Sequence, residues 1–256
     1  MRLTDVHAHL CDPTFDADLA PTLDRAHAAG VATIVAVGET LVDARKNLEI
    51  AARFPGSVLA AAGLYPVHLD TAQADAVITL VRERRSEFAA IGEVGLDHWK
   101  VQDEAGRELQ REIFLRFVAL SLELDLPLNV HSRSASRHAV ALLLERGARR
   151  VLLHAFDGKI STALPAVEAG WFFSIPPSIV RSPQKQKLAR RLPLSSLLLE
   201  TDSPVLGPEP GTRNEPANLR IALSAVAAIK GLPVEEVAEA VTDNARRLFG
   251  DRLPPA

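Results

Sequence analysis

Short runs rich in Val, Ile, Leu and Ala alternate with longer stretches whose apolar residues recur at helical spacing, the pattern of repeated βα units. The runs Leu3–His9, Val31–Val37, Val58–Leu64, Ala89–Val94, Pro127–His131, Val151–His154, Trp171–Ile175 and Leu197–Glu200 predict eight strands, the number that closes a parallel barrel. Residues 31–37 and 197–199 are apolar without alternation, as in strands covered on both faces. Helices are predicted over Asp43–Phe54, Gln73–Glu87, Ala105–Leu124, Ala135–Arg146, Ile160–Ala169 and Gln184–Arg191, with Gly30, Gly147 and Gly170 as C-caps. Two more, Pro216–Lys230 and Val234–Leu248, follow the eighth strand and are separated by Gly231 and Pro233. No linker, composition shift or internal repeat divides residues 1–256, so one α/β domain is expected, a TIM-like (β/α)8 barrel. An open doubly wound sheet usually carries a Gly-rich phosphate loop after its first strand. Here that strand ends in histidines.

Composition changes this picture little. Apolar residues make up 47% and charged residues 24%, ordinary for a globular protein. No stretch approaches the roughly 20 apolar residues of a bilayer span, and no signal peptide is visible. The lone cysteine, Cys11, excludes an internal disulfide or a cysteine zinc site and favours a cytoplasmic setting; it reads as a small loop residue. The net charge of −3 lacks the basic excess of a nucleic-acid coat. One basic run, Arg181, Lys185, Lys187, Arg190 and Arg191, reads as a solvated helix face rather than a phosphate-binding patch.

The candidate chemistry lies at strand ends. His7 and His9 are two apart on the first strand, so both imidazoles face one side and can converge on one cation. Glu93, His131, His154 and Asp202 end the fourth, fifth, sixth and eighth predicted strands. A parallel barrel gathers those ends on one face. Four imidazoles and two carboxylates, with no basic partner nearby in sequence for either acid, suit two divalent cations better than six separate buried polar groups.

These segments resemble the TatD family of metal-dependent deoxyribonucleases within the amidohydrolase-like barrels. The resemblance rests on Asp5-Val6-His7-Ala8-His9-Leu10, Gly92-Glu93-Val94-Gly95-Leu96-Asp97, Asn129-Val130-His131-Ser132-Arg133, Leu153-His154-Ala155-Phe156, Leu199-Glu200-Thr201-Asp202-Ser203-Pro204 and Arg213-Asn214-Glu215-Pro216. Residues 172–179 and the turn 154–158 further resemble one branch of that family. The resemblance implies that His7, His9 and Asp202 hold one metal and His131 and His154 the other, with Glu93 bridging. A metal-bridging hydroxide would attack phosphorus in line, and Asp202 would accept the proton. The ions would be Mg, Mn or Zn, and the partner DNA, single-stranded or at 3′ ends, with 3′–5′ exonucleolysis as one form of the activity. Arg133 is placed either to meet phosphate oxygens or to form a salt bridge at the rim, and Arg213 is similarly placed, although Glu215 offers it a structural pair. Trp99 is placed to stack a base or cover the barrel mouth, in a loop expected to be the longest after any strand. Asp5 is expected to orient an imidazole, and Asp97 and Asp157 to cap loops.

One segment departs from the family pattern. Members usually carry Gly-x-His-Pro-His after strand three, where this chain has Gly63-Leu64-Tyr65-Pro66-Val67-His68. Tyr65 cannot act as an imidazolium at a phosphate, which touches substrate handling rather than metal binding. The same site would also serve an ester hydrolase acting on aminoacyl-tRNA or a small ester or amide. A metal-bound scaffold with little catalysis is the alternative outside enzymology.

Overall fold

The computed structural model describes residues 2–255. Eight strands lie in one parallel sheet in chain order: β1 (Leu3–Ala8), β2 (Val31–Ala36), β3 (Val58–Ala62), β4 (Phe88–Gly95), β5 (Leu128–His131), β6 (Val151–Leu153), β7 (Phe172–Ile175) and β8 (Leu197–Leu199). Helices α1 (Leu19–Ala28), α2 (Leu41–Arg53), α3 (Thr71–Glu83), α4 (Glu104–Leu124), α5 (Ser136–Glu145), α6 (Ile160–Glu168) and α7 (Pro183–Arg191) connect them, and α8 (Leu219–Lys230) and α9 (Val234–Phe249) follow. The barrel closes where the chain after β8 meets β1. Asp202 N donates to His7 O at 2.9 Å, and His9 N to Ser203 O at 2.8 Å. The Asp5 carboxylate accepts from Thr201 N across the same seam at 2.9 Å.

All eight predicted strands form, but several stop early. His9, His154 and Asp202 fall just past the ends of β1, β6 and β8 rather than inside them. Ala155 (φ 40°) and Asp202 (φ 54°) adopt left-handed backbone there, a conformation that does not continue a strand. Helix starts follow their caps. Thr40 accepts from Asp43 N and begins α2 two residues earlier than its apolar pattern indicates. Asp70 does the same for α3 through Gln73 N. The predicted helix to Glu87 stops at Glu83, and Arg85–Glu87 is a separate 3-10 turn. Gly30, Gly147 and Gly170 take positive φ after their helices, as expected of C-caps.

The larger apolar cluster lies between the sheet and its helices. A smaller one, with Val6, Val35, Ala61, Ala90, Leu152, Phe172 and Leu198 from the strands, meets Ala245, Leu248 and Phe249 of α9. Asn244 Nδ2 donates to Leu197 O at the start of β8 at 2.8 Å. Arg150, just before β6, donates to Leu248 O at 2.9 Å. Thus α9 floors the barrel where the strands begin, which leaves the opposite end for chemistry. No described helix is long and apolar enough to cross a membrane.

Candidate metal centre

At the C-terminal ends of the strands, the six predicted side chains converge. His7 Nε2 and His9 Nε2 are 3.2 Å apart. Asp202 Oδ1 is 3.3 Å from each. Glu93 Oε2 completes this group at 3.8 Å from His7 and 3.4 Å from His9. The other oxygen of Glu93, Oε1, faces a second group, 2.7 Å from His131 Nδ1 and 2.8 Å from His154 Nε2. Those two nitrogens are 3.2 Å apart. Glu93 therefore lies between the two groups with one oxygen turned to each.

The outward ring nitrogens fix which nitrogens face inward. Asn129 Nδ2 donates to Val6 O, so its Oδ1 accepts from His7 Nδ1 at 2.8 Å. Asp97 Oδ2 accepts from His131 Nε2 at 3.0 Å. His154 Nδ1 faces Glu200 Oε2 at 3.5 Å, an ionic rather than hydrogen-bonded spacing. Glu200 is itself held by Ser174 Oγ and Ala155 N. In neutral imidazoles, each outward N–H leaves a lone pair pointing at the cluster.

Electrostatics without a cation follow from this crowding. Burial opposes ionisation of Glu93, yet His154 and His131 beside it hold its carboxyl well below the usual range. Burial likewise opposes the charge on Asp202, but hydrogen bonds from His7 and His9 keep its carboxyl low. Burial works against a charged His9, but Asp202 and Glu93 push it up to about 9. His131 and His154 are also raised, against burial, by Asp97, Glu93 and Glu200. Such imidazoles donate inward to carboxylates, and a divalent cation would take the place of those inward protons.

The donor spacings test whether cations fit. Two donors about 2.0–2.2 Å from one ion, at tetrahedral to octahedral angles, stand about 2.8–3.6 Å apart. The distances within each group fall within a few tenths of an ångström of that range. Three overlapping trios, His7 with His9 and Glu93, Glu93 with His131 and His154, and His7 with His154 and Asp202, each bring imidazole and carboxylate ligand atoms mutually within 4.8 Å. The donor set fits divalent cations.

The centre lies in a cavity of about 430 Å³ whose walls include Glu39, Tyr65, Arg133, Lys185, Val205 and Leu206. Arg133 lies there as expected, its guanidinium 3.7 Å over the Trp99 ring. Trp99, 49% exposed, supports Arg133 from outside instead of lining the cavity. Its loop, 96–103, is not the longest after a strand, since residues 200–218 form a longer one. Arg213 does not reach the cavity. It donates to Asp18 at 2.7 and 2.8 Å and to Thr14 O, and lies over Phe15. Its partner is therefore Asp18, while Glu215 pairs with Arg25 at 2.7 Å. The expected substrate contact gives way to a latch between two loops.

Three further expectations need correction. Asp5 touches no imidazole; its carboxylate binds Thr201 and the His7 amide, and burial raises it to about 8. Asp97 does cap its loop through Trp99 N and Lys100 N, but it also holds His131 and accepts from the Tyr65 hydroxyl at 3.3 Å. Lys185 is not on a solvated face. It is buried, donates to Ala155 O, and burial lowers its ammonium against the pull of Glu200, Asp202 and Asp157. Asp157 caps its loop as expected, through Ser134 N and Ser136 Oγ. Cys11 is buried with its thiol on Val37 O. The structural partners that sequence reasoning missed are Asn129 and Glu200. Each is a polar side chain beside an apolar run leading to a ligand, a signal that a buried hydrogen bond must exist.

Residues 4–250 match the family described as TatD related DNase. The human protein named deoxyribonuclease TATDN3 is 46% identical over 258 residues, which span 96% of this chain and 94% of the human one. The crystal structure of YJJV, a TatD homologue from Escherichia coli K12, superposes with a TM-score of 0.88 at 27% identity, covering 97% of this chain and 98% of that one. An uncharacterized amidohydrolase from Saccharomyces cerevisiae shares the fold, with a TM-score of 0.81 at 17% identity and coverage of 97% and 100%. By the match across its length and the identity with these relatives, the chain belongs to the TatD-related DNase family.

Proposed function

We propose that the protein hydrolyses phosphodiester bonds of DNA at this centre, with two divalent cations, Mg, Mn or Zn, held by His7, His9, Glu93, His131, His154 and Asp202. The observation that carries the reading is Glu93, whose two carboxylate oxygens face two adjoining histidine pairs, His7 with His9 and His131 with His154. Family membership adds the substrate class. The ligands come from the ends of five strands spread over residues 7–202, which supports reading residues 1–256 as one domain.

Bound cations supply Lewis acidity toward water and phosphate oxygens. The protein does the rest. Asn129 and Asp97 keep the lone pairs of His7 and His131 aimed inward. Asp202, which lines the cavity, takes the proton of the attacking water at a carboxylate oxygen. Arg133, braced on Trp99, neutralises charge growing on the phosphate. Trp99 stays half exposed beside Arg133, leaving surface for a base to pack against. Tyr65, burdened by burial and the nearby Glu93 and Asp97, stays a neutral hydroxyl. It contributes hydrogen bonding rather than charge. Single-stranded DNA and 3′ ends suit this walled cavity better than an intact duplex.

The test is hydrolysis of a single-stranded oligonucleotide with Mg²⁺, Mn²⁺ or Zn²⁺ by the wild type, Glu93→Gln and Asp202→Asn. Each substitution is expected to lower the rate about 100-fold or more. Undiminished cleavage by both variants overturns the reading.

A further inference from the structure

Lys185 is carried inward by its place on α7. It shares a helix face with Leu188 and Ala189, both buried, while Lys187, Arg190 and Arg191 point to solvent. Only 9% of it is exposed, and it lines the cavity above the metal centre. An ammonium carries three donors. Nζ makes one hydrogen bond, 3.1 Å to Ala155 O. No described carboxylate reaches the 4.0 Å of an ion pair with it. Of the acids that act on it, Glu200 is held by Ser174 Oγ and Ala155 N, Asp202 faces His7 and His9, and Asp157 is engaged by Ser134 and Ser136. A buried ammonium with one neutral partner is costly, and proteins rarely keep one without an anion to meet it.

Position around the barrel says where that anion sits. Arg133 follows β5 and Lys185 precedes β8, on either side of the His154 that ends β6. Asp202 after β8 faces His7 and His9 of the other group, and Glu39 lines the cavity after β2. The two cationic groups of the lining thus flank the His131–His154 half of the centre, with Asp157, already hydrogen-bonded to Ser134 and Ser136, between them in chain order.

We propose that Lys185 is a phosphate-binding residue of this site, donating to a non-bridging oxygen of the phosphate held between it and Arg133. The proposal rests on the phosphodiesterase reading and gives it an orientation: the phosphate oxygens lie over β6, and the water attacks from the Asp202 side. It also gives the cavity a means to prefer phosphodiesters over neutral esters. A desolvated ammonium left without an anion disfavours an uncharged occupant.

The test titrates inorganic phosphate calorimetrically into the full-length, metal-loaded protein, wild type and Lys185→Met, alongside KM for an oligonucleotide. Loss of one charge-assisted hydrogen bond is expected to weaken phosphate about 10- to 100-fold and to raise KM similarly. Lys185→Arg should recover most of both, and metal stoichiometry should not change. Phosphate affinity within 2-fold of wild type in Lys185→Met overturns the proposal. Should that variant fail to fold, Lys185→Gln, which retains a donor for Ala155 O, decides by the same titration. Failure of both to fold assigns Lys185 to bracing the Ala155 turn and also overturns it. A wild type that binds phosphate through Lys185 yet cleaves no DNA sinks the nuclease reading alone. Cleavage with Lys185-independent phosphate binding sinks this proposal alone.

Discussion

Asn129 shows how much of a metal site is set by residues that never touch metal. Its amide is locked by Val6 O, which forces its oxygen onto His7 Nδ1 and frees Nε2 for the centre. Asn129→Ala would remove that acceptor and let the ring rotate. Metal affinity is expected to fall about 10- to 100-fold, read by competition against a chelating dye. Retained affinity would mean that packing alone orients His7. Gly92 belongs to the same arrangement: a Cβ there would lie 2.5 Å from Asn129 Cβ, so β4 and β5 pass too closely for any other residue. In sequence, Asn129 is one polar letter among apolar neighbours, and the carbonyl and the imidazole it joins are 123 and 122 residues away.

Among the elements, α9 has the clearest division of labour. It contributes nothing to the centre, yet Leu248 and Phe249 seal the inner cluster at the opposite end. Leu248 is 1% exposed. Leu248→Ala should cost about 2–5 kcal/mol of stability, measured by denaturant unfolding. Metal affinity of the folded fraction should stay unchanged, because the floor and the centre lie at opposite ends of the strands. A large loss of affinity without loss of stability would contradict that separation. The helical period of residues 234–248 is plain in the sequence. That this helix floors a barrel is not, because periodicity gives a buried face without naming what buries it.

For the whole molecule, closure is the decisive event, and it coincides with assembly of the centre. The seam between β8 and β1 is stitched by the amides of His9 and Asp202, both proposed ligands. Outside it, Asp18 binds Arg213 across 195 residues. Arg213 first, with Arg25 assisting, lowers the Asp18 carboxyl to about 2 from an ordinary 3.8. A carboxyl lowered by folding adds stability above its unfolded pKa and loses it as pH falls through the folded value. The difference in unfolding midpoint between wild type and Asp18→Asn should therefore be constant near neutrality. It should shrink between about pH 4 and pH 2, and also in high salt, because the pair is exposed. A difference that grows on acidification would exclude this latch.

Eight strands and their chain order are legible in the amino-acid order alone, because each short apolar run needs cover on both faces and each intervening helical stretch has one face to give it. The sequence also determined the six convergent side chains, since parallel strands must all end on one face and His7, His9, Glu93, His131, His154 and Asp202 stand at those ends. Which side chains pair was settled only by folding. Arg213 goes to Asp18 rather than to nearby Glu215, Asp5 to Thr201 rather than to an imidazole, and Lys185 into the cavity rather than to water. Periodicity along a chain records which face is buried, but a hydrogen bond is a matter of angstroms between segments. Those distances exist only after the sheet has closed.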